Sequence, residues 1–105
     1  MNWILDSGAS SHIVTYSLAR TWQRTDNHDD HLPEFATAGK PNKAKGIYQI
    51  LIPGINVIIE AYALEDAPCL LSMCELAAMG FLMVMTTHDQ PTVYIMREKL
   101  SLIHI

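Results

Sequence analysis

The run Val57-Ile58-Ile59-Glu60-Ala61-Tyr62-Ala63-Leu64 constrains the fold of this chain more than any other segment. It is eight residues long and rich in β-branched side chains. Pro53-Gly54 precedes it and Glu65-Asp66-Ala67-Pro68 follows, so turn signals bound it on both sides. A run this short between breakers is a strand. The same signature repeats along the chain. Trp3 to Asp6, Ile13 to Thr15, Phe35 to Thr37 and Ile47 to Ile52 are short apolar segments between turns. Phe81 to Thr86 and Thr92 to Met96 read as a hairpin around Asp89-Gln90-Pro91, and Leu100 to Ile105 as a last strand. From Arg20 to Pro33 the composition turns polar, as in a surface loop.

One helix interrupts this pattern. Ser72 and Glu75 form a capping box, in which the hydroxyl takes the amide three residues on and the carboxylate reaches back. Met73, Leu76 and Met79 recur at helical spacing, and Gly80 ends the run as a C′ residue, so a helix is expected over 73–79. The reading is an almost all-β single domain over residues 1–105 with one short helix.

Composition excludes several classes. The chain is 50% hydrophobic and 17% charged, which is neither a disordered segment nor a charged tail. A chain of this size buries roughly 65% of its unfolded surface, so the apolar balance points to further burial in an oligomer. Seven basic against eleven acidic residues give a net charge of −4, which lends no electrostatic support to direct nucleic-acid binding. The longest apolar stretch, Leu76 to Met85, falls well short of the ~20 residues of a membrane helix. Met1 to Asp6 lacks the basic and apolar regions of a signal peptide. Cys69 and Cys74 read as reduced thiols in a cytoplasmic setting rather than a disulfide framework.

The chemistry-bearing piece is Ile4-Leu5-Asp6-Ser7-Gly8-Ala9. An apolar strand delivers a carboxylate into a tight turn, where Gly8 lets backbone amides approach it and Ser7 offers a hydroxyl to lock the turn. An ordinary strand-end turn has the same composition, so the context decides. Trp3 to His12 resembles the start of the retropepsin-like aspartic protease domain of copia-type retrotransposon polyproteins. Gly39 and Gly46 flank a segment similar to that family's flap, a hairpin of about 37–48. Leu70-Leu71-Ser72, the helix and Gly80 resemble its second hallmark, a small residue before a short helix beneath the active-site turn.

This resemblance implies a retropepsin-like closed or partly open β-barrel, a single lobe of the acid protease fold. It implies an aspartic endopeptidase that needs no cofactor or metal. Such enzymes hold two carboxylates about 3 Å apart sharing one proton. The chain carries a single Asp-Ser-Gly, and Asp26, Asp29, Asp30, Asp66 and Asp89 lack the following pair. A two-fold homodimer is therefore expected, with Asp6 and its mate on the axis. By the same resemblance, Ser7 and Gly8 support the dyad, and Gly8, Ala9, Ser10, Gly39, Gly46 and Ile47 contact an extended polypeptide, the parent polyprotein, within retrotransposon particles. Five residues precede Asp6 where the family usually has another strand, so the 81–96 hairpin and the tail are expected to supply dimer contacts. The alternative is a retroelement-derived dimerisation or peptide-binding module that keeps the fold without catalysis.

Other candidates weigh less. His28-Asp29-Asp30-His31 is a solvated loop more readily than a metal cluster, since consecutive residues seldom all face one ion. His12 beside Ser10 or Ser11 lacks the strand-to-helix elbow of serine hydrolases. Lys40, Lys43 and Lys45 read as solvating charges, Met73, Met79, Met83 and Met85 as pliable core, and Trp22 as a packing anchor.

Overall fold

A computed structural model of the chain describes residues 3–25, 31–37, 39–85 and 93–97. Its frame is a five-stranded sheet in the order β1-β7-β2-β6-β5. The strands are β1 (Ile4–Asp6), β2 (Ile13–Thr15), β5 (Ile47–Ile52), β6 (Val57–Leu64) and β7 (Leu70–Ser72). Two separate two-stranded ribbons complete it: β3 (Glu34–Thr37) with β4 (Lys40–Lys43), and β8 (Phe81–Met85) with β9 (Val93–Arg97). Two helices, α1 (Tyr16–Ala19) and α2 (Met73–Ala78), are short. The described residues are thus mostly β, and no closed barrel is present among them.

The long central hairpin follows from alternation. In β6, Val57, Ile59, Ala61 and Ala63 point into the core while Ile58 and Glu60 point out. In β5, Tyr48, Ile50 and Ile52 are buried while Gln49 and Leu51 are exposed. Antiparallel pairing from Ile47↔Tyr62 to Ile52↔Val57 puts the two buried rows on one face, where each strand satisfies the other's backbone. Gly54 (φ 96°) and Asn56 (φ 50°) take the left-handed conformations the connecting turn requires, and both residue types tolerate them.

β7 lies between β1 and β2, the two strands joined by the Asp6 turn. It runs parallel to β1 through Ile4↔Leu70, Leu5↔Leu71 and Asp6↔Ser72, and antiparallel to β2 at Ile13↔Leu70. β2 in turn runs parallel to β6. The principal core joins Val14, Ala19, Ile59, Ala63, Leu71, Leu76 and Phe81, with Trp22 and Met83 packed against it. Met79, by contrast, is 40% exposed.

Three boundaries differ from the sequence reading. The projecting hairpin is Glu34–Thr37 against Lys40–Lys43, turning at Gly39 (φ 77°), so its returning arm is β4 and not Ile47–Ile52. The apolar row of β5 is better buried on β6 than in a projecting arm. The expected helix over 73–79 ends at Ala78, with Met79 as its C-cap. The four-residue α1 has no sequence signal: its N-cap Thr15 makes no side-chain capping bond. Asp89-Gln90-Pro91, the tail from Leu100 to Ile105, and His28, Asp29 and Asp30 lie outside the described residues.

Candidate active site

Asp6 ends β1, half-buried, and the chain turns immediately after it. The Gly8 N–H donates to Asp6 Oδ1 at 2.7 Å, a charge-assisted bond that fixes the carboxylate within the turn. Gly8 does this with a negative φ, and a Cβ built on it would stand 3.4 Å from Asp6 Oδ1, an ordinary contact. The amide, rather than left-handed freedom, is what this position supplies. Ser7 is exposed at the outside of the turn.

Beneath the turn, Ser72 is wholly buried and serves three partners. Its hydroxyl donates to the Ala9 carbonyl at 2.7 Å and accepts from the Glu75 N–H at 3.1 Å, the second bond being the N-cap of α2. Its own N–H donates to His12 Nδ1 at 3.0 Å. Only the hydroxyl half of the expected capping box forms, because the Ser72 N–H goes to His12 rather than to the Glu75 carboxylate, and the same hydroxyl also holds the loop after Asp6.

Asp6, Gly8, Ala9 and Ser10 line one cleft of about 270 Å³ with Ser11, Ile13, Phe35, Ala36, Leu64, Ala67, Pro68 and Leu70. Among the described residues, Asp6 is the only ionisable side chain lining it. The β3–β4 hairpin forms one wall and is tied down at its base. The Phe35 and Tyr62 rings meet at 5.4 Å, the Ala44 N–H donates to the Pro33 carbonyl, and Asn42 Nδ2 donates to the Glu65 carbonyl. Gly39 stands at the exposed tip, where an added Cβ would meet nothing within 4 Å.

Gly46 and Ile47 do not reach this cleft. Gly46 is buried where a Cβ would come within 2.8 Å of Arg24 and 3.1 Å of Tyr48. Ile47 instead lines a second cavity of about 330 Å³, together with His12, Glu60, Tyr62, Glu75 and Met79. Burial holds the His12 imidazole below its ordinary value of 6.5. Desolvation, and then the neighbouring Glu60 charge, push Glu75 up. Among the described residues no group of three or more His, Cys, Asp or Glu side chains could hold a metal ion. No helix among them is long and apolar enough to cross a membrane.

No family model, curated protein or solved structure matches this chain.

Proposed function

We propose that this protein is a retropepsin-like aspartic endopeptidase that acts as a two-fold homodimer on extended polypeptides, its parent polyprotein among them. The observation that carries this reading is the Asp6 carboxylate, held by the Gly8 amide at one wall of a largely apolar cleft that a hairpin borders. Threading of β7 between the strands on either side of the turn supports it, because this roots the carboxylate in the sheet rather than in a free loop. The resemblance of residues 3–12 and 70–80 to the copia-type protease domain points the same way.

In the dimer, the two Asp6 carboxyls share one proton, since like charges that close do not both ionise. The ionised one takes a proton from water as its oxygen attacks the scissile carbonyl carbon. The protonated one donates to the carbonyl oxygen, giving a tetrahedral diol. Collapse of the diol passes a proton to the amide nitrogen and breaks the C–N bond, releasing a carboxylic acid and an amine. Water supplies the added atoms, so no cofactor takes part in the step.

Peptide hydrolysis at mildly acidic pH, wild type beside Asp6→Asn, tests the reading. Cleavage by wild type alone, by a species that sediments as a dimer, is the expected result. Equal turnover in both, or turnover by a strict monomer, overturns it. Absence of turnover in both assigns the chain to the non-catalytic module instead.

A further inference from the structure

His12 is 1% exposed, the most buried ionisable side chain among the described residues, and the dyad chemistry does not use it. It ends the loop that begins at Asp6. Its carbonyl accepts from the Tyr62 N–H at 3.0 Å, which ties that loop to β6. Its Nδ1 accepts from the Ser72 N–H at 3.0 Å, which ties it to the start of α2. An acceptor nitrogen carries no proton, so the neutral ring is protonated at Nε2. Nε2 lies 3.1 Å from Glu75 Oε2 but off the axis of a hydrogen bond, so their contact is electrostatic proximity without alignment.

Ser72 therefore holds the loop twice, through its amide at His12 and its hydroxyl at Ala9. Asp6 is registered beside Ser72 in the neighbouring strand. Without the imidazole, the buried Ser72 N–H would lose its acceptor, and the loop would keep one of its two ties to α2.

We propose that His12 is a positioning residue for Asp6: as a neutral imidazole protonated at Nε2, it clamps the Ser72 amide and thereby fixes the turn carrying the carboxylate against α2. Its catalytic consequence rests on the protease reading, whereas the tautomer and the clamp do not.

The test compares full-length wild type with His12→Asn, whose side-chain oxygen can still accept from the Ser72 amide, and His12→Leu, which cannot. Nitrogen-15 NMR of the wild-type imidazole at neutral pH is expected to show a bare Nδ1 and a protonated Nε2. A proton on Nδ1 overturns the proposal, whether or not either variant folds. Amide exchange at Ser72 is expected to accelerate at least tenfold in His12→Leu while Ile59 keeps its protection, and to return within about threefold of wild type in His12→Asn. The Gly8 amide resonance should move only in His12→Leu. Unchanged Ser72 exchange and Gly8 resonance in a folded His12→Leu protein overturn the clamp. With a cleavable peptide, His12→Leu is expected to lower kcat about tenfold with KM within twofold, and His12→Asn to restore kcat. A fall in both variants alike overturns the positioning role. Absence of cleavage by wild type refutes the protease reading and leaves the tautomer and exchange results to decide the clamp.

Discussion

Ser72→Ala removes one oxygen that bonds two partners, the Ala9 carbonyl and the Glu75 N–H, so its cost can be worked out bond by bond. Loss of the Glu75 N–H cap at 3.1 Å costs about 1 kcal/mol, the usual effect of replacing an N-cap serine with alanine. Loss of the 2.7 Å bond to the Ala9 carbonyl adds about 1 kcal/mol, the net worth of a hydrogen bond. Ala9 is only half-buried, so the full penalty of a sealed orphan acceptor is not added. The site is fully enclosed, and the missing oxygen leaves a void of a single atom, small beside the lost bonds. The sum is about 2 kcal/mol. For a domain of this size that corresponds to a fall in Tm on the order of 10 °C. With an m-value of about 1.5 kcal/mol/M, the urea midpoint drops by roughly 1.3 M. Ser17→Ala is the control, because the Ser17 hydroxyl is exposed and only 3.5 Å from Thr15 Oγ1. It should change stability by less than ~0.5 kcal/mol. If Ser72→Ala unfolds within ~0.5 kcal/mol of wild type at unchanged m, Ser72 does not join the helix to the loop.

Further outcomes follow from other parts of the fold. Leu76 is fully enclosed in α2, so Leu76→Ala should cost about 3 kcal/mol in urea unfolding. Gly80 holds φ 93° after α2 with open space around it, so Gly80→Ala should cost about 1 kcal/mol through backbone strain alone. Stability should also follow His12 protonation. Burial lowers the native value below the unfolded 6.5, so between the two values the unfolded chain binds more protons. The neutral imidazole's contribution is complete above 6.5 and falls as pH drops below it, by at most about 1.4 kcal/mol per pH unit. Glu75 has the opposite sign. Its native value is raised, so its contribution is present below the unfolded value of 4.5 and lost as pH rises through the native one. The Glu75 side chain is 43% exposed and adjoins Glu60, so its part is the smaller one. Urea midpoints between pH 5 and 7.5 should slope less in His12→Asn than in wild type, and equal slopes would remove His12 from the account.

Local patterns that carry their own geometry were legible in the sequence. The strands over 47–52 and 57–64, the Ser72 N-cap and the hairpin read over 81–86 and 92–96, which pairs as Phe81–Met85 with Val93–Arg97, each carry signals within or beside the segment itself. Asp6 and Gly8 were legible as a turn, and their 2.7 Å bond is what two residues at that spacing can form. Partner choice was not legible. Ile47–Ile52 could pair forwards or backwards, and burial against Val57–Leu64 decides it, which leaves Lys40–Lys43 to complete the hairpin. That shift takes Gly46 and Ile47 away from the cleft and leaves Gly39 at the tip. His12 read as a weak nucleophile partner, because its bond to Ser72 spans sixty residues and has no local signature.

The insertion of β7 also sets an order of events in synthesis. β1 leaves the ribosome before its parallel neighbour, which comes sixty-six positions later, at Ile4↔Leu70. Until residue 72 has emerged, Asp6 has no lattice to hold it, and contacts that distant form late in folding. A nascent or truncated chain lacking that segment would carry the acid without its socket. Asp6 is thus left without its neighbouring strand until β7 has been made.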